Sequence, residues 1–261
     1  MTLATAAQDS SAMVGRELRH LRRYPLFLVA SVALPVLMFV LFVYVFGDYV
    51  GAGLSGSGST LSYVGFLTPG ILVMTVAAGA LPSAVSVSTD MSEGIIDRFR
   101  TMPLARGAVL IGHVVGGIFR TVLAAILLTL VALFVGFRPA GGPLAWLAAA
   151  GIILAFAFAL TWLAVAIGLA AKTPTGANSM TQIISTVLPF LSSAFVPTES
   201  MAVGIRWFAE YQPFTPVVGS VRALLTDTPV GNSVVFALAW CAVIAVVGYA
   251  WGLRSFRTKT A

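Results

Sequence analysis

Long apolar runs alternate along this chain with short polar connections. Six segments are apolar over 17 residues or more, at 26–46, 63–85, 108–136, 144–171, 180–196 and 234–253. A helix rises 1.5 Å per residue, and a hydrocarbon core of about 30 Å takes roughly 20 apolar residues to cross. Each run is therefore predicted to be a membrane-spanning helix. Pro35, Pro69, Pro82 and Pro189 fall inside these runs, where neighbouring helices can satisfy the backbone groups a proline frees. The fifth run is the shortest and most polar, and its limits are the least defined.

The connections carry patterns of their own. In Val14-Gly-Arg-Glu-Leu-Arg-His-Leu-Arg-Arg-Tyr-Pro25, Val14, Leu18 and Leu21 recur at helical spacing while Arg16, Arg19 and Arg23 fall largely elsewhere on the wheel. That pattern predicts an interfacial helix with arginines toward anionic lipid; a basic flank that only sets topology is the simpler reading. The 89–106 segment, read as a short helix ending at Pro103, puts Met91, Ile95 and Phe99 on one face and Asp90, Glu93 and Asp97 on another. An acidic stripe beside an apolar one suits either a docking surface or a solvated helix, and periodicity leaves both open. The 51–60 stretch reads as a flexible external loop. The 197–232 segment is long and rich in aromatic and apolar residues, which predicts a fold-back against the membrane with Trp207 and Tyr211 at headgroup depth.

Composition agrees with a bilayer as solvent. Hydrophobic residues make up 59% of the 261 and charged residues 9%, against roughly a quarter charged in soluble domains. One cysteine, Cys241, rules out an internal disulfide framework and a cysteine-rich zinc site. The net charge of +6 does not imply nucleic acid, because the basic residues sit beside apolar spans rather than on a patch. With six spans, eleven Lys and Arg fall on the side of the termini and three (Arg138, Arg206, Arg222) on the other. The positive-inside rule then places both termini in the cytoplasm. The first run is longer than a signal-peptide core and lacks a small-residue cleavage site, so it is read as retained. Thirteen Arg to two Lys, with abundant Ala, Val and Gly, hint at a GC-rich bacterial genome and hence a bacterial plasma membrane.

Polar residues within the spans mark where chemistry could lie. In the fifth run Gln182, Ser185, Thr186, Pro189, Ser192 and Ser193 recur three or four residues apart; the second carries a weaker series in Thr68, Thr75, Gly79, Pro82, Ser83 and Ser86. Such stripes face another helix or a water-accessible path, since lipid offers no hydrogen bonds. Arg120 lies near the middle of the third run, where an arginine costs about 2.5 to 3.5 kcal/mol on insertion scales, so it should face the bundle interior or water. No span carries an acidic residue, which points Arg120 to a carbonyl or a loop carboxylate. His113 reads as packed or hydrogen-bonded. No phosphate-binding loop is present: in the nearest approach, before Lys172-Thr173, Ala166 and Ala171 occupy the required glycine positions. A transporter without an engine borrows one or works passively.

Glu93-Gly-Ile-Ile-Asp-Arg-Phe-Arg-Thr-Met-Pro-Leu-Ala-Arg106 resembles the cytoplasmic loop of ABC type-2 transporter permeases, particularly the daunorubicin-resistance branch. Leu191-Ser-Ser-Ala-Phe-Val-Pro-Thr-Glu-Ser-Met201, continuing through Phe208-Ala-Glu-Tyr-Gln-Pro-Phe-Thr-Pro-Val-Val218 to Val221-Arg-Ala-Leu-Leu225, resembles the same family. The likeness covers nearly the whole chain. It implies an all-α, single transmembrane domain over 1–261: a tail and interfacial helix (1–25), six spans (26–253), a coupling loop (86–107), an external re-entrant segment (197–232) and a tail (254–261). It implies that Asp90, Glu93, Asp97, Arg98, Phe99 and Arg100 dock on a separate ATP-binding subunit, present in two copies, which binds the ATP and Mg; this chain holds no cofactor and is not an enzyme. It implies a second permease, identical or sister, with Thr68, Thr75, Gln182, Ser185, Thr186 and Ser192 along the path. Glu210, Tyr211, Gln212 and Pro213 would form the external gate, with Arg120 as an intramembrane charge. The cargo implied is a drug or antibiotic, with lipid or glycan as alternatives. A passive channel or carrier would share the six helices but would not need an acidic docking loop. A membrane enzyme would need a reactive cluster, and none is apparent.

Overall fold

A computed structural model describes the backbone of residues 25–55, 60–93 and 108–260 and the side chains of 32–47, 63–93, 110–198 and 200–256. Among the described residues every regular element is helical. In chain order these are α1 (Pro25–Ser55), α2 (Thr60–Ala80), α3 (Ser83–Ser92), α4 (Ala108–Val135), α5 (Pro143–Ala170) and α6 (Pro174–Phe190). A 3₁₀ turn (Thr198–Ser200) follows, then α7 (Val203–Tyr211), α8 (Phe214–Thr226) and α9 (Ser233–Thr260). Four stretches are long and apolar enough to cross a membrane: Tyr63–Ser92, Leu110–Val135, Pro143–Ala170 and Ser233–Phe256. Val32–Gly47 and Phe214–Thr226 are shorter apolar helices.

Sequence chemistry accounts for the helix ends. At the end of α4, Gly136 adopts φ 118°; Phe137 N–H returns to Ala132 O at 2.9 Å and Gly136 N–H to Leu133 O at 3.3 Å, the glycine-dependent αL closure of a helix. α6 opens with Thr173 as N-cap, its hydroxyl accepting from Gly176 N–H at 3.1 Å, and Pro174 follows in the first turn. Between α2 and α3 the break falls at Pro82, which has no N–H for the carbonyl four residues back.

The stretch Tyr63–Ser92 is the centre of the bundle. Its most apolar window is 83% buried, against 33% for Leu110–Val135 and 22% for Ser233–Phe256. α1, α4, α5, α6 and α8 all pack on α2, and α3 packs on α5 and α6. α9 lies along α5, and its exposed Val235, Phe236, Val246 and Trp251 face outward, as a lipid-facing helix requires. α8 enters the core, where Phe214 meets Phe156 edge to face at 5.1 Å.

Boundaries differ from the sequence expectation in three places. α1 runs on through Ser55, so residues 51–55, expected to lie in an external loop, are helical; they carry no proline to stop the helix, and residues 56–59 lie outside the described residues. The fifth run forms a helix over Pro174–Phe190 rather than 180–196. Its start is advanced by the Thr173-Pro174 cap. Its end comes where Ser192 Oγ donates to Pro189 O at 2.6 Å and accepts from Ala194 N–H at 3.1 Å, a local bonding pattern that competes with the helix ladder. Ser192 and Ser193 are therefore in a turn and not on the helical stripe. Residues 89–92 continue α3 instead of starting a separate loop helix. Residues 97–100, like the 1–24 segment, lie outside the described residues.

Candidate functional site: a polar groove and a capped helix end

The polar face of α6 opens into a groove of about 160 Å³. One wall is Asn178, Thr181, Gln182, Ser185 and Thr186 of α6; the other is Leu34 and Pro35 of α1 with Met74, Ala78, Leu81 and Pro82 around the α2–α3 break. The polar wall is bonded along its own helix. Gln182 Nε2 donates to Thr186 Oγ1 at 3.1 Å, Ser185 Oγ to Gln182 O at 3.2 Å and Thr181 Oγ1 to Ala177 O at 3.0 Å. Hydroxyls spent on their own carbonyls keep spare acceptor capacity but demand no fixed partner. The groove thus offers a weakly polar wall opposite an apolar one, a surface suited to an amphipathic molecule.

Gln182, Ser185 and Thr186 come together here as the sequence predicts. Thr68, Thr75 and Ser192 do not. Thr68 and Thr75 are buried inside the bundle and donate to Val64 O at 2.7 Å and Ile71 O at 2.8 Å; helical residues at those positions pack inward, and the groove side of α2 is instead Met74 and Ala78. Pro82, a member of the weaker series in the second run, does line the groove, and Pro35 is a groove residue that polarity alone does not reveal.

Arg120 lies behind this groove. It is 3% exposed, with Nε donating to Gly79 O at 3.0 Å and Nη2 to Ser83 Oγ at 2.9 Å. Both partners flank the Pro82 break, so the guanidinium satisfies polar groups where the helix ladder is interrupted. A carbonyl partner is one of the two expected from the sequence.

At the C-terminal end of α6, three side chains from the α7–α8 pair hold its last turn and the 191–196 turn that follows. Gln212 Nε2 donates to Leu188 O at 3.0 Å, Thr215 Oγ1 accepts from Ser193 N–H at 3.2 Å, and Arg222 Nη2 donates to Ser193 O at 2.7 Å. These groups are left over where a helix ends. Arg222 also donates from Nε to Phe66 O at 3.1 Å and lies 3.8 Å over the Phe66 ring. A Cβ added to Gly70 would collide with the main chain of Ala194, so the turn rests directly on α2.

The four expected gate residues divide. Gln212 is buried and Pro213 half-buried at the hinge between α7 and α8. Glu210 is exposed and pairs with Arg206 at 2.7 Å, and Tyr211 is exposed beside Trp207, with ring centroids 5.6 Å apart. An exposed i,i+4 pair is worth about 0–1 kcal/mol, so Glu210 contributes little to holding the hinge. Thr215 and Arg222 were not expected; the sign of Arg222 was a single cation in the apolar run 214–225.

At the opposite end, Asp90 Oδ2 meets His113 Nε2 at 3.0 Å. Glu93 is exposed just beyond α3. Asp97, Arg98, Phe99 and Arg100 lie outside the described residues.

The profile of a family described as ABC-2 type transporter matches residues 9–226. The chain is 28% identical over 258 residues to the daunorubicin resistance ABC transporter permease protein DrrB1 of Streptomyces coeruleorubidus, covering 99% of this chain and 89% of that one. It is 26% identical over 248 residues to the putative transport permease ycf38 of Porphyra purpurea, covering 94% and 80%. With the probable doxorubicin resistance ABC transporter permease protein DrrC of Mycobacterium tuberculosis it shares 25% identity over 224 residues, covering 84% and 77%.

Proposed function

Since the chain belongs to the ABC-2 type transporter family, we propose that it is the permease of an exporter that moves an amphipathic drug or antibiotic out of a bacterial cell. A separate subunit, in two copies, binds ATP and Mg and supplies the energy. Two permeases, identical or sister, pair across the groove faces. The single transmembrane domain over 1–261 has six spans (α1, α2–α3, α4, α5, α6 and α9) with both termini inside, and the 1–25 segment adds an interfacial helix. α7 and α8 form a re-entrant gate at the outer surface, with Trp207 and Tyr211 at headgroup depth. The stretch after α3, with Glu93, Asp97, Arg98, Phe99 and Arg100, seats on the ATP-binding subunit.

The observation that carries this reading is the groove on α6. Apart from the buried Thr181, its polar wall is open to the surface of the bundle, an arrangement unfavourable against lipid and suited to a path completed by a second copy. The names of relatives concerned with daunorubicin and doxorubicin resistance support the drug class.

The test is purification of the chain from its native membrane in mild detergent, with mass spectrometry of co-purifying proteins. ATP-dependent uptake of daunorubicin into inside-out vesicles is then measured. A stoichiometric ATP-binding subunit and nucleotide-dependent uptake are expected. Absence of that subunit, under conditions preserving other membrane complexes, would turn the reading to a passive channel or carrier.

A further inference from the structure

Among the described residues, two polar atoms in the outer mouth are buried without a hydrogen-bond partner: Ser193 Oγ and Gln212 Oε1. Buried polar groups are paired in the great majority of cases, and an orphan weakens the state that buries it. The closed mouth therefore carries a built-in bias toward a state that lets water reach these two atoms. Something must oppose that bias.

Arg222 is the group placed to do so. Its two bonds go to main-chain oxygens on two different elements, Phe66 O of α2 and Ser193 O of the turn after α6. No carboxylate pairs with it among the described residues. It is half-buried, and the movement that parts its bonds is what would bring water to the guanidinium. Arg120 contrasts on this point, for at 3% exposure it could not leave its partners without a large desolvation penalty.

We propose that Arg222 is the latch of the outer mouth. Bonded to Phe66 O and Ser193 O, it holds the 191–196 turn against α2. Released, it lets the turn move away and admits water to Ser193 and Gln212. Arg222 is thus a positioning residue that acts through the turn. The proposal rests on the exporter reading for which side the mouth faces, but its test does not depend on transport.

Ser193→Cys places a thiol at the orphaned hydroxyl with no partner to lose, and the native Cys241, buried in α9, reports on the integrity of the bundle. Labelling by a membrane-impermeant maleimide is followed at both sites in intact cells, so that only an outward-facing mouth reacts. With Arg222 present both thiols should react slowly. Arg222→Gln should raise labelling of the introduced thiol on the order of tenfold for each charge-assisted hydrogen bond lost, with Cys241 silent. Arg222→Lys keeps the charge but replaces the two-pronged donor with a point donor, and should give an intermediate rate. Unchanged labelling of the introduced thiol in the Gln variant, with Cys241 silent, overturns the latch. Should Cys241 also react in the Gln variant, the Lys variant decides: an intermediate rate at the introduced thiol with Cys241 silent supports the latch. An unchanged rate, or exposure of both thiols again, overturns it and makes Arg222 a structural brace. If the introduced thiol labels as the latch requires, with Cys241 silent, while no ATP-binding subunit co-purifies, the latch stands and the exporter reading falls.

Discussion

His113 Nε2 and Asp90 Oδ2 meet at 3.0 Å, tying the last turn of α3 to the first turns of α4. The side chains are 7% and 15% exposed, so the contact is inside the protein. The pair is thus a mounting for two helix ends, α3 closing at Ser92 and α4 opening at Ala108. Asp90 therefore belongs to the mounting, and of the acidic series the freely presented member among the described residues is Glu93.

That division separates two kinds of variant. Charge reversal of Glu93 and Asp97 to Lys is expected to weaken association with the ATP-binding subunit at least tenfold while leaving membrane insertion intact. His113→Ala is expected to lower stability by about 1–3 kcal/mol through the carboxylate left without this partner, and to leave association largely intact. Pull-down of the ATP-binding subunit, alongside thermal unfolding in detergent, distinguishes them. Equal association in the double-Lys variant would remove these carboxylates from docking.

Groove and interior positions should answer differently to bulk. Gln182→Trp and Ser185→Trp project into the groove and are expected to cut drug efflux more than tenfold at normal expression. Thr75→Trp must fit where nothing is exposed, and overpacking of a filled interior costs about 1–3 kcal/mol or more, so expression itself should fall. Efflux normalised to the folded protein at the membrane is the measurement; parallel loss in all three would mean that the α6 face is packing.

Gly70→Ala drives a methyl group into the main chain of Ala194. The backbone there cannot rotate aside as a side chain can, so the turn must lift from α2. We expect a loss of about 1–3 kcal/mol together with faster labelling of the introduced thiol in the Ser193→Cys background. An unaltered melting temperature and labelling rate would show that the turn does not rest on α2.

Arg120→Met leaves Gly79 O without that donor at the Pro82 break. Each buried polar group so abandoned costs about 1–3 kcal/mol, and the folded yield judged by monodispersity in detergent should drop sharply. Arg120→Lys retains one donor and should recover part of it. A fully monodisperse Met variant would show that the break needs no such support.

Hydropathy made the long apolar helices legible, because runs long enough for a bilayer leave few alternatives, while the division of 197–232 into α7 and α8 was not legible. Local chemistry shifted their ends: a Thr-Pro cap extended α6 backward, and Ser192 closed it early by bonding to its own backbone. The polar stripe of α6 could be read because Gln182, Ser185 and Thr186 share one face of one helix. Thr68 and Thr75 follow the same periodicity on α2, yet that helix is surrounded on all sides, and periodicity carries no information about how many neighbours a helix has. Arg222 joins elements 156 residues apart in sequence, a relationship that exists only once the bundle is assembled.

α6 has 17 residues, a length of about 25 Å at 1.5 Å per residue, short of a hydrocarbon core of about 30 Å. During synthesis this segment meets lipid with Asn178, Ser179 and Gln182 uncovered, and its own hydropathy gives it little reason to stay there. The wall it leans on, α2 and α3, is already made when it emerges. Gln212, Thr215 and Arg222, which hold its far end, are not yet made. A chain interrupted between residues 190 and 212 would therefore carry this helix without the three side chains that hold its end. The order of translation thus bears on how this helix is held, because the part of the chain that fastens its far end is made after it.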